Sequence, residues 1–163
     1  MCRQEGGYSF APLVEIPSER YRVVTTTAAQ LSQRAILIVE DCPEMTALLA
    51  DFFILHAAKP ILARSASQAL DLCRQSAFDL LVLDLDISDI DTLAILQFLS
   101  SRQRRGLSRL TIALASCATN NELTSRVRAL HIPLLTKPFD LKDLGDLCTR
   151  LLSVTDVRSL INA

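Results

Sequence analysis

Two short, wholly apolar runs, Ala35-Ile36-Leu37-Ile38-Val39 and Leu80-Leu81-Val82-Leu83, constrain the fold more than any other feature of this chain. Each is too short for a helix and carries no polar residue on either face. That is the pattern of a central strand in a parallel sheet covered on both sides. Segments with helical spacing lie between and after them. Met45, Leu48, Leu49 and Phe52 fall at i, i+3, i+4 and i+7, so residues 43–56 are expected to form an amphipathic helix with Pro43 near its start. Ala66, Ala69, Leu70 and Cys73 repeat the spacing, and helix 92–101 follows the second apolar run. Leu123, Val127 and Leu130 form the next stripe, and a final helix capped by Asp140 turns Leu144, Leu147, Cys148 and Leu151 inward. Weaker strands are expected at Lys59–Ala63, Leu110–Leu114 and Pro133–Leu135. Five strands and five helices alternate strictly, and right-handed crossovers then demand a doubly wound α/β domain with a parallel sheet.

This domain spans residues 34–152. Residues 1–33, with two of the four glycines and two of the six prolines, read as an N-terminal extension with a short helix around Thr27–Gln33. Residues 153–163 read as a C-terminal tail, too short for a DNA-binding or catalytic output domain, so a stand-alone protein is expected. Half of the 163 residues are apolar, enough for a sizeable core. The 17 basic and 18 acidic residues nearly cancel, which argues against an electrostatic grip on nucleic acid or an anionic membrane. Arg102–Arg105 reads as a solvated loop face. No apolar run is long enough to span a bilayer, and the first residues lack the layout of a secretion signal. The five cysteines are scattered, with no C-x-x-C pair, and point to a reducing cytoplasm. Cys42 and Cys117 fall just past strand ends and read as incidental thiols.

In such a sheet, ligands bind beyond the carboxyl ends of the strands. The first strand ends in Glu40-Asp41, the third in Asp84, the fourth in Ala115-Ser116 and the fifth in Thr136-Lys137-Pro138. Three carboxylates brought together repel one another. A hard divalent cation with oxygen ligands, Mg²⁺, is the natural compensation. A lysine across the site would hold an anion that bridges both charges, and a phosphoryl group on a carboxylate fits.

The segments Ile36–Glu44, Phe78–Asp84 and Leu135–Asp140 closely resemble those of bacterial response-regulator receiver domains, the CheY-like superfamily. The resemblance implies a flavodoxin-like sheet of order 2-1-3-4-5. It makes Asp84 the phosphoacceptor and Lys137 the phosphoryl contact, with a cis Lys137-Pro138 bond. Asp41 and Asp84 would bind Mg²⁺ directly, Glu40 mostly through water, and Asp86 through its backbone carbonyl. The implied partners are a sensor histidine kinase or phosphotransfer protein, and a downstream protein on the face of the fourth helix, fifth strand and fifth helix. A homodimer is left open; direct nucleic-acid or membrane contact is not expected. The protein would not be an enzyme beyond self-catalysed phosphotransfer and dephosphorylation.

The strand-three loop departs from that pattern, with Ser88 where Pro is common and Thr92 where Gly is common, and so do two switch positions. The hydroxyl position of strand four, 22 residues before Lys137, is Ala115, with Ser116 one residue on. The aromatic position three before the lysine is Leu134. Only a bulge in the strand would move Ser116 into the hydroxyl's place. A pseudo-receiver that binds partners without phosphotransfer is therefore the main alternative. Asp84-Leu85-Asp86 also resembles the nucleophile motif of haloacid-dehalogenase-type phosphatases, but there the acidic pair follows the lysine, whereas here Glu40-Asp41 precedes everything.

Overall fold

Ala35–Val39 forms β1, and its residues 36–39 are completely buried. In the computed structural model, which describes residues 27–87, 92–101 and 110–161, β1 is the second strand of a five-stranded sheet of order β2-β1-β3-β4-β5. The other strands are β2 (Lys59–Ala63), β3 (Leu80–Asp84), β4 (Thr111–Ala115) and β5 (Leu134–Thr136), and every pairing is parallel. Pro60 has no N–H to donate. It is tolerated because β2 is an edge strand, paired only with β1.

The helices are α1 (Thr27–Leu31), α2 (Pro43–Leu55), α3 (Ala66–Gln75), α4 (Thr92–Ser100), α5 (Asn121–Ala129) and α6 (Leu141–Ile161). Alternation along the strands sorts the core into two layers. Leu37, Val39, Leu81, Leu83 and Ala113 pack with Ala69 and Cys73 of α3, Ile95 and Leu99 of α4 and Val127 of α5. Ile36, Ile38, Leu80, Val82, Ile112 and Leu114 pack with Leu31 of α1, Leu49 and Phe53 of α2, and Leu144 and Cys148 of α6. No helix among the described residues is long and apolar enough to cross a membrane.

Several boundaries differ from the expectation. Strands β4 and β5 each begin and end one residue later, because pairing with their neighbours sets the register: Leu81 faces Thr111 and Ala113 faces Leu134. The final helix continues to Ile161, so residues 153–161 are helical rather than a tail; the stretch has no glycine or proline to stop it. The short helix expected around Thr27–Gln33 is α1, and it packs against the domain. Leu31 is fully buried, and the Thr149 hydroxyl donates to Thr27 Oγ1 at 3.2 Å. Gly145 permits this approach, since a Cβ there would meet Thr27 Cγ2 at 3.3 Å and Phe52 Cζ at 3.5 Å. Residues 1–26, the Arg102–Arg105 run and residues 162–163 lie outside the described residues.

Candidate functional site

Glu40 leaves β1 at the carboxyl edge of the sheet and is held there by four bonds. Its N–H donates to Ala63 O at 3.1 Å, and its carbonyl accepts the Thr46 hydroxyl at 3.2 Å. Its Oε1 accepts from the Cys42 N–H at 3.1 Å and its Oε2 from Lys137 Nζ at 3.0 Å. The short turn Cys42-Pro43 into α2 thus aims a buried carboxylate into the site. Asp84 is the last residue of β3, adjacent to β1 in the sheet, and its side chain is 3% exposed. One carboxylate oxygen each from Glu40, Asp41 and Asp84 lies within 4.8 Å of the others.

Lys137 follows β5, two strands away, and reaches across so that Nζ also lies 3.0 Å from Asp84 Oδ2. Its backbone N–H donates to Ala115 O at 2.7 Å, and the Lys137-Pro138 peptide bond is cis. One ammonium therefore serves two buried carboxylates, and the titration directions follow. Burial raises the pKa of Glu40, and the nearby Asp84 charge adds to this, against the lowering hydrogen bonds from Lys137 and Cys42. For Lys137, burial works to lower the pKa, but the bonds to Asp84 and Glu40 outweigh it and the net direction is up. Three carboxylates thus share a confined space with the Lys137 ammonium. The donor set, all oxygen, suits a hard divalent cation such as Mg²⁺.

Asp86 does more than its sequence position implied. Its N–H donates to Asp84 Oδ1 at 3.1 Å, and its carboxylate reaches the β4–α5 loop. There Oδ2 accepts from the Ser116 N–H at 2.8 Å and Oδ1 from the Thr119 hydroxyl at 2.6 Å. No linear pattern marks Thr119. Ala115 is buried inside β4. The register of β3 and β4 runs without a bulge from Leu81–Thr111 to Asp84–Leu114, so Ser116 is not carried into the strand. Its hydroxyl instead accepts from the Ala118 N–H at 3.2 Å. Leu134 is half-buried in β5 and lines a groove of about 630 Å³ with Leu135, Asp143, Asp146, Leu147 and Arg150. Cys42 and Cys117 are both exposed.

Residues 36–149 match the family model of the response regulator receiver domain. A search of curated proteins finds no match. Among solved structures, a CheY-like response regulator receiver domain protein from Methanospirillum hungatei superposes with a TM-score of 0.69 at 19% identity, over 78% of this chain and 99% of its own. The signal receiver domain of a signal transduction histidine kinase from Syntrophus aciditrophicus gives 0.64 at 22% identity, over 74% and 90%. NtrX from Brucella abortus gives 0.68 at 22% identity over 80% of this chain, which spans only 29% of the NtrX length.

Proposed function

Because the chain belongs to the response regulator receiver family, we propose that it accepts a phosphoryl group on Asp84 in two-component or phosphorelay signalling and passes the signal on by protein contact. The observation that carries this reading is Lys137 Nζ held 3.0 Å from Asp84 Oδ2, beside a carboxylate cluster that suits Mg²⁺. The donor is a histidine kinase or phosphotransfer protein, the partners that receiver domains engage. The compartment consistent with this is the cytoplasm.

In the proposed reaction an Asp84 carboxylate oxygen attacks the phosphorus of a phosphohistidine. The O–P bond forms as the P–N bond breaks, and the imidazole nitrogen leaves with the electron pair. Asp41 and Asp84 would hold Mg²⁺ directly, with Glu40 acting through water and Asp86 through its carbonyl. When bound, the cation offsets the charge of the transferred group. Lys137 holds its ammonium where phosphoryl oxygens develop charge, and its fixed position avoids reorganisation during transfer. Glu40 positions Lys137 through its own 3.0 Å contact to the ammonium. The near-complete burial of Asp84 keeps water from its carboxylate, which strengthens these electrostatic contacts. The groove along β5 and α6 is the proposed downstream partner surface.

Labelling with acetyl phosphate tests the assignment. Wild type is expected to take up one phosphoryl group in the presence of Mg²⁺, and Asp84→Asn none. Label on both proteins would move the site elsewhere, and label on neither would favour a binding module without phosphotransfer.

A further inference from the structure

One side chain ties the loop after β4 to the end of β3. Asp86 Oδ2 accepts from the Ser116 N–H at 2.8 Å and Oδ1 from the Thr119 hydroxyl at 2.6 Å, across 30 and 33 residues of sequence. The backbone N–H of Asp86 meanwhile donates to Asp84 Oδ1 at 3.1 Å. Residue 86 therefore grips the carboxylate of Asp84 with its main chain and the 116–119 loop with its side chain. The loop itself is a closed turn. The Ser116 N–H is shared with Thr119 Oγ1 at 2.8 Å, and the Thr119 N–H donates to Ser116 O at 3.2 Å. Movement of Asp86 therefore acts on the turn as a unit.

We propose that Asp86 is a positioning residue that relays the state of Asp84 to residues 116–119. The proposal rests on Asp84 being the phosphoacceptor. Phosphorylation turns one carboxylate oxygen of Asp84 into an ester-like oxygen and removes the carboxylate charge. The Asp86 N–H then faces a weaker, neutral acceptor beside the charged oxygens of the phosphoryl group, which draw it toward them. The N–H and the Cβ of Asp86 are related by its φ torsion, so a change in φ that turns the N–H toward a new acceptor also moves the carboxylate relative to that N–H. The carboxylate's bond to Thr119 is short and charge-assisted, hence directional, and it transmits that movement to the turn. Ala115 offers only a methyl group, and the Ser116 hydroxyl is engaged by Ala118 within the turn. Among the described residues, Asp86 is thus a side chain at the β3 end that reaches this loop through hydrogen bonds.

Backbone amide NMR, recorded with Mg²⁺ and acetyl phosphate and paired with the intact mass of the same sample, tests the relay. Wild type is expected to gain one phosphoryl group and to shift the Ser116 and Thr119 amides. Thr119→Val is expected to gain the phosphoryl group equally, with the shifts at 116–119 reduced several-fold, and Thr119→Ser to restore them. Asp86→Asn, which keeps the shape and one acceptor oxygen, is expected to give an intermediate shift per phosphoryl group. Wild-type shifts in phosphorylated Thr119→Val would overturn the relay. So would a phosphorylated wild type in which the 116–119 amides stay still, and both results would leave Asp84 as the acceptor. A wild type whose mass never changes would overturn the phosphoacceptor reading and the relay with it.

Discussion

Lys137 Nζ lies 3.0 Å from Glu40 Oε2 although 97 residues of chain separate them. This contact joins the last strand of the sheet to the end of β1 and leaves the same ammonium shared with Asp84. Removing it by Lys137→Ala strands two buried carboxylates without a cation. The expected cost is about 3 kcal/mol of folding stability, the scale for breaking a buried ion pair from one side. Urea unfolding measures it, and millimolar Mg²⁺ is expected to restore part of the loss. An unchanged midpoint would show that the pair contributes nothing.

Mg²⁺ is expected to raise the melting temperature of wild type, by about 2.7 kcal/mol of stability at a hundredfold excess over the dissociation constant. Asp84→Asn and Asp41→Asn are expected to lose most of this gain. The effect depends on pH with a defined sign. Because the folded pKa of Glu40 is raised, its favourable contribution to the metal-free protein is complete below the ordinary carboxylate value of 4.5 and is lost as pH rises through the raised value. Mg²⁺ binds the ionised cluster, so its stabilising effect should grow over that same rise. A metal-induced shift that shrinks with rising pH would contradict the assignment.

Leu31→Ala tests whether α1 is an integral part of the domain. Leu31 is fully buried against the layer formed by α2 and α6, so truncation is expected to cost about 2–4 kcal/mol. Gly145→Leu should destabilise as well, by forcing Thr27 of α1 and Phe52 of α2 away from α6. Neutral results in chemical denaturation would return α1 to the status of an appendage.

Ala57 ends the turn between α2 and β2 at φ 58°, and Gln33 and His131 make the equivalent turns at 63° and 56°. An L side chain is strained in this region, and glycine is not. Ala57→Gly is therefore expected to stabilise the fold by about 0.5–1 kcal/mol, after the entropic cost of glycine is counted. A lower melting temperature would refute this.

Burial pushes the Cys148 thiol from 9.0 up to about 12. The stability tied to its protonated form is complete below pH 9.0 and is lost as pH rises toward 12, by about 4 kcal/mol at 1.36 kcal/mol per unit. Comparing urea midpoints of wild type and Cys148→Ala across that interval isolates this thiol from other alkaline groups. Cys148→Ala should start less stable and fall less steeply. Parallel curves would mean that the thiol ionises in the folded state as readily as in the unfolded one.

Much of this molecule can be read from its residues in order. The apolar runs at 35–39 and 80–83 have no polar face, so they had to become inner strands, and the helical stripes between them had to cover both sides of the sheet. Strand chemistry also puts Glu40, Asp84 and Lys137 at carboxyl ends, because Glu40 and Asp84 directly follow apolar runs and Lys137 follows Leu134-Leu135 after one threonine. Boundaries were less legible. Ala115 and Thr136 became the last residues of β4 and β5 because they pair with each other, and neither side chain alone discloses that.

The linear pattern thus determined the alternation, the parallel sheet and the edge on which the charged residues emerge, since these follow from side-chain period and polarity over a few residues. Only the tertiary structure decided that Leu31 seals the core, that one lysine is divided between Glu40 and Asp84, and that Asp86 holds Thr119. Those are pairings between groups far apart in the chain. Their geometry depends on how the helices pack and how the loops close, and local periodicity carries no record of either.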